Sequence, residues 1–200
     1  MKIDLTRRQL AALAAVKLLA VGAAFALPSF APPLFPAAIA APVADTSVDA
    51  ALREFDAARA DEKRLDTAVA ALRALPTDAQ RQPLLSACLG SAMAMQGKAA
   101  WMPWNKMKYT EQGLDQLDAA LAMLKPEHGA VRVRGVPVAL QTRLVAAATF
   151  VAVPDGLFHR RADGRKLLAA LRADPLLAAA PAAFRAELDA TEARLAELSK

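Results

Sequence analysis

Sheet-forming residues are scarce in this 200-residue chain, which has two Ile, one Tyr, two Trp and seven Phe. Strands draw on β-branched and aromatic side chains, so a β-sandwich or barrel is excluded and a parallel-sheet enzyme is disfavoured. A single Cys rules out an intrachain disulfide framework, and two His leave little room for a histidine-rich metal site. Eight Gly are spread without a phosphate-cradling loop, and neither a His-x-x-x-His nor a Cys-x-x-Cys pair occurs. What is abundant is Ala (51) and Leu (29), the best helix formers. Hydrophobic content of 56% against 22% charged residues excludes a disordered chain. The expectation is an all-α protein with one core and no cofactor.

The N-terminal residues read as an address. A basic start containing Thr6, Arg7, Arg8, Gln9 and Leu10 precedes an apolar run over 10–27, and small residues Ala38 and Ala40 flank Ile39 at a candidate cleavage site. Basic, apolar and small-residue regions in that order make a secretory signal. Residues 6–10 resemble the twin-arginine motif, which implies export in folded form. Lys17 interrupts the apolar run, and Ala11 stands where that motif usually has a basic residue. The alternative is an uncleaved anchor, although eighteen residues with a central charge are short for a span. The expected layout is a signal at 1–40, a linker at 41–46 and a single domain at 47–200, periplasmic or held at the inner membrane by the uncut signal. The signal holds four basic and one acidic side chain, so residues 41–200 carry +2 of the +5 net charge. Nucleic-acid binding loses its main support.

Helical periodicity runs through most of 47–200. Val48, Leu52 and Phe55 share one stripe, with Asp45 or Thr46 as N-cap. Leu65, Val69, Leu72 and Leu75 share another, stopped by Pro76. Thr77 and Asp78 are cap types for a third helix ending at Gly97, Leu114 to Leu124 fill a fourth, and Phe184 to Leu198 fill the last. Val131-Arg132-Val133-Arg134 alternates like a strand but has no evident partner, so the reading over 131–153 is a helix kinked or interrupted near Pro137. Three Leu/Ala segments, starting at Leu65, Leu117 and Leu167, each run into a Pro (Pro76, Pro126, Pro175). Leu89-Gly90 with Met93, and Gly113, Leu117 and Ala120, match the two helices of a tetratricopeptide unit, with Pro126 closing it. Over roughly 85–172 the chain resembles tetratricopeptide-like repeat proteins. The resemblance implies antiparallel helix pairs in a right-handed solenoid or compact bundle, with no catalytic residues to carry over. Residues 98–112 then read as an insertion, because the spacing exceeds the usual repeat of about 34 residues.

Trp101, Trp104 and Tyr109 fall within nine positions, interleaved with Lys98, Lys106 and Lys108. Rings beside cations suit a binding surface as well as a core lid, and the sequence leaves both open. With Phe158, Arg160 and Arg161 from a second loop, Trp101, Trp104, Lys106 and Tyr109 form the expected partner-binding set for a protein or peptide. Met93, Met95, Met102 and Met107 with Cys88 and His128 could be drawn as a copper(I) site, but helical Met is more often core filler. A triad from Asp155, His159 and Ser86 or Ser91 lacks the strained turn that a nucleophile needs. His128 is expected at the surface and Cys88 in the core. The expectation is a non-catalytic exported scaffold; the alternative is an accessory subunit of a periplasmic redox or transport complex.

Overall fold

A computed structural model describes residues 41–78 and 81–200. The export motif at 6–10 and the cleavage site at 38–40 lie outside the described residues. Eight α-helices and one two-stranded hairpin are found among the described residues, so the protein is all-α. The helices are α1 (Ala41–Ala60), α2 (Leu65–Arg73), α3 (Gln82–Ala99), α4 (Pro103–Ala122), α5 (Val138–Ala152), the single turn α6 (Asp155–Phe158), α7 (Arg161–Ala173) and α8 (Ala182–Glu197). Helix α1 occupies the expected linker at 41–46, so Asp45 and Thr46 lie inside a helix instead of capping one. None of the described helices is long and apolar enough to cross a membrane.

Sequential helices pack in pairs: α1 against α2, α3 against α4 and α5 against α7, with α8 against α5 and α7. Each of α2, α4 and α7 is followed within four residues by a Pro, which cannot continue the helical hydrogen bonding. Val48, Leu52 and Phe55 of α1 meet Val69 and Leu72 of α2 and Leu84, Leu85 and Cys88 of α3 in one core cluster. Fully burying each such Leu or Phe is worth about 1.5–3 kcal/mol. Helix α3 is buried nearly all round over 83–94, which is why its apolar residues form no single stripe.

The α3–α4 pair approaches most closely. A Cβ on Gly90 would lie 2.7 Å from the Gly113 carbonyl oxygen, and one on Gly113 would lie 2.5 Å from the Gly90 carbonyl oxygen. Only Gly at both positions lets the two backbones meet there. Residues 98–112, expected as an insertion, hold the end of α3, a short turn and the start of α4. Pro103 stands at the first turn of α4, where its missing N–H costs nothing, so residues 103–112 form nearly three turns of that helix.

Residues 131–137 correct the helical reading. Arg132–Val133 pairs antiparallel with Val136–Pro137, so the strand's partner lies four residues downstream. The two-residue turn has φ +50° at Arg134 and +79° at Gly135, the positive pair that a tight hairpin requires. Arg134 is held there by α1: its guanidinium bonds Asp56 Oδ2 at 2.6 Å and the Asp49 carbonyl at 3.1 Å. Pro137 sits at the hairpin's end and directly before α5, where it interrupts nothing.

Candidate functional site

An open groove of about 560 Å³ lies among the described helices. Its floor is α3 and α5, which place Ser91, Ala94 and Met95 opposite Ala148, Thr149 and Ala152. Small side chains recur on both helices because α3 and α5 pack together below the groove. One wall is the first half of α4, with Lys106, Met107 and Thr110. The other is the turn after α5, where Val153 and Pro154 lead into Leu157 and Phe158 of α6. Arg59 of α1 and Arg194 of α8 complete the lining.

In the floor, the Thr149 hydroxyl oxygen lies 2.9 Å from both Ser91 Oγ and the Val145 carbonyl. A carbonyl only accepts, so the Thr149 proton goes to Val145 and the Ser91 hydroxyl donates to Thr149. Four cations line the groove and no carboxylate does. Arg59 is paired with Glu187 at 2.6 Å and Lys98 with Glu62 at 3.6 Å. Lys106 Nζ donates to the Lys98 carbonyl at 3.1 Å. Among the described residues, neither Lys106 nor Arg194 has a carboxylate partner.

The expected binding set divides. Lys106 and Phe158 line the groove together. Trp101 is 86% exposed and Trp104 65%, so neither ring lids the core. Trp104 lies one turn before Met107 on α4, which puts the ring beside the groove's rim. Leu157, 61% exposed, extends the apolar surface on the opposite wall. Tyr109 is half-buried and outside the lining.

Arg160 and Arg161 lie outside the groove lining and make contacts within the fold. Arg160 makes a two-pronged bond to Asp118 of α4, one prong at 2.8 Å, and stacks 4.0 Å above the Phe150 ring. The hydrogen bond to Asp118 holds its guanidinium pKa above the usual value. The Arg161 backbone N–H donates to Asp155 Oδ1 at 2.8 Å, and its guanidinium donates to the Leu198 carbonyl at 3.2 Å. Asp155 is thereby a cap for the first turn of α7, and His159 is an exposed left-handed residue closing α6. The drawn triad is not assembled.

His128 corrects another expectation: it is 3% exposed, and its Nδ1 accepts the Lys125 backbone N–H at 2.8 Å. Cys88 is buried at a separate cavity of about 50 Å³ between α1, α3, α5 and α8. Burial, reinforced by the Asp56 charge, pushes its thiol up to about 12. Met95 and Met107 of the drawn copper set face the groove, whereas Met93 is in the core. Among the described residues, no three His, Cys, Asp or Glu are grouped to hold a metal.

Sequence reasoning missed Arg59 and Arg194, which come from the first and last helices and carry no local signal. No protein-family profile, curated protein or solved structure matches the chain.

Proposed function

We propose that the protein is an exported, non-catalytic helical-repeat scaffold that binds a protein or peptide partner in the groove between α4 and α6. The observation that carries this reading is the position of Trp101, Trp104 and Leu157. These are three large side chains left in solvent beside an apolar groove, in a chain with few aromatics. Exposed apolar surface next to a concavity is the usual mark of an interaction site, and Trp is the residue that most often anchors one. The succession α1–α2, α3–α4, α5–α7 and then a terminal α8 supports the tetratricopeptide-like reading, in which stacked pairs end in a capping helix.

A Trp101→Ala/Trp104→Ala variant tests the reading. Proteins that co-purify with the wild type from a periplasmic extract are expected to be lost from the variant, and equal recovery of every one counts against it. Export is tested separately by Arg7→Lys/Arg8→Lys, which is expected to leave the protein in the cytoplasm.

A further inference from the structure

The groove's chemistry narrows what it accepts. An extended peptide brings one N–H and one C=O per residue, and each buried one needs a partner. The lining has no Asn, Gln, Asp or Glu. Its uncharged polar side chains are Ser91, Thr110 and Thr149, of which Ser91 and Thr149 bond each other. The cations donate to carbonyls but accept nothing, so the side-chain acceptors for the N–H groups of an extended segment are limited to these three hydroxyls. A helix arrives with its backbone already satisfied and needs only an apolar stripe to bury.

Charge points the same way. Residues 41–200 carry only +2, yet Arg59, Lys98, Lys106 and Arg194 gather on this one groove without a carboxylate. Lys106 stands on the α4 wall and Arg194 comes from α8, and among the described residues these are the two of the four with no carboxylate partner. Met95 and Met107 give the walls flexible side chains that adapt to an apolar ridge. Trp101 and Trp104 add exposed apolar surface outside the groove lining. Deepening the partner-binding reading on which it rests, we propose that the occupant is an amphipathic helix whose apolar stripe is flanked by Glu or Asp.

The test uses the full chain and three Trp-free synthetic peptides of about 18 residues, long enough to form a helix alone. One has Leu at helical spacing flanked by Glu, one has Lys for every Glu, and one has two central Pro that abolish the helix. Binding is read by calorimetry, and by the emission of Trp101 and Trp104, the chain's only Trp residues. The Glu helix is expected to bind with a blue shift, at least about tenfold more tightly than either control, and more weakly as salt rises. Lys106→Glu/Arg194→Glu, both at exposed positions, is expected to invert the preference toward the Lys helix.

Equal binding of the Pro peptide overturns the helical occupant, and equal binding of the Lys helix overturns the acidic one. Displacement of the Glu helix by oleate at lower concentration than the peptide itself overturns both in favour of a lipid anion. If no peptide binds while the wild type still captures a partner that the Trp variant loses, this proposal fails and the scaffold reading stands.

Discussion

The two ends of the α3–α4 hairpin are built on opposite principles. At the closed end Gly90, Ala94, Gly113, Leu117 and Ala120 are buried, and the backbones touch where a methyl group would not fit. At the open end Trp101, Trp104 and Met107 are exposed, and Lys98 and Lys106 stand beside them. Small residues fill the interior while the two largest side chains in the protein stay outside. A buried Trp removes 150–250 Å² from water, so keeping two at the surface forgoes several kcal/mol of available stabilisation. The lesson is that stability and recognition use different side chains of the same two helices, for Gly97 still packs closely against the Lys106 carbonyl near the open end. The contrast predicts that substitutions at the two ends fail in different assays.

The largest effect belongs to the closed end. Gly113→Ala drives a Cβ toward the Gly90 carbonyl and Ala94 backbone, neither of which can rotate away. The expected loss is about 3 kcal/mol in urea unfolding, with an unchanged slope. A loss under about 1 kcal/mol would mean that the helices separate freely and the close approach sets nothing. Arg160→Ala comes next. It removes the bridge from α7's entry to Asp118 of α4 and the cation above Phe150. About 1–2 kcal/mol should go, while peptide binding in the groove is expected to stay within twofold of wild type. A binding loss without a stability loss would return Arg160 to the partner surface.

How far these roles were legible follows from how local their causes are. The helices were readable because Leu spacing and a following Pro are neighbours in sequence, and Trp101 and Trp104 drew notice through rarity. Whether the rings were lid or surface turned on the start of α4: Pro103 begins a helix within the expected insertion, and that helix carries Trp104 and Met107 outward. The hairpin at 132–137 was missed because a two-residue strand finds its partner across Arg134 and Gly135, and Arg134 depends on carboxylates about eighty residues upstream. His128 misled for a similar reason. Its burial depends on an acceptor role toward Lys125 that residue type does not announce. The groove draws on six helices and the turn after α5, so no window of sequence contains it.

Cys88, deep in the closed end, gives a smaller effect that tests how well that end excludes water. With its pKa pushed from 9.0 to about 12, the folded state keeps the thiol neutral while the unfolded chain ionises above pH 9. Stability therefore falls between pH 9 and 12, by about 1 kcal/mol at pH 10. Comparison with Cys88→Ala isolates the term, because every other titrating group is shared. Iodoacetamide at pH 8 is expected to leave the native thiol unmodified. Rapid labelling, or identical pH profiles for the two proteins, would show that solvent reaches this end as well.

The smallest effect on stability is expected at the open end, and it carries the most information. Trp101→Ala/Trp104→Ala removes more side-chain volume than any other pair in the chain. Removing two buried rings would cost about 3–5 kcal/mol each. At 86% and 65% exposure these rings bury little, so unfolding free energy should change by less than about 0.5 kcal/mol. The same variant is expected to lose the Glu-flanked helix by at least about tenfold. A fall of several kcal/mol in stability would place the rings back in the core and turn the partner loss into a folding defect. Unchanged stability with lost binding separates the two ends of the hairpin, because the residues that hold it together would then differ from those that give it a partner.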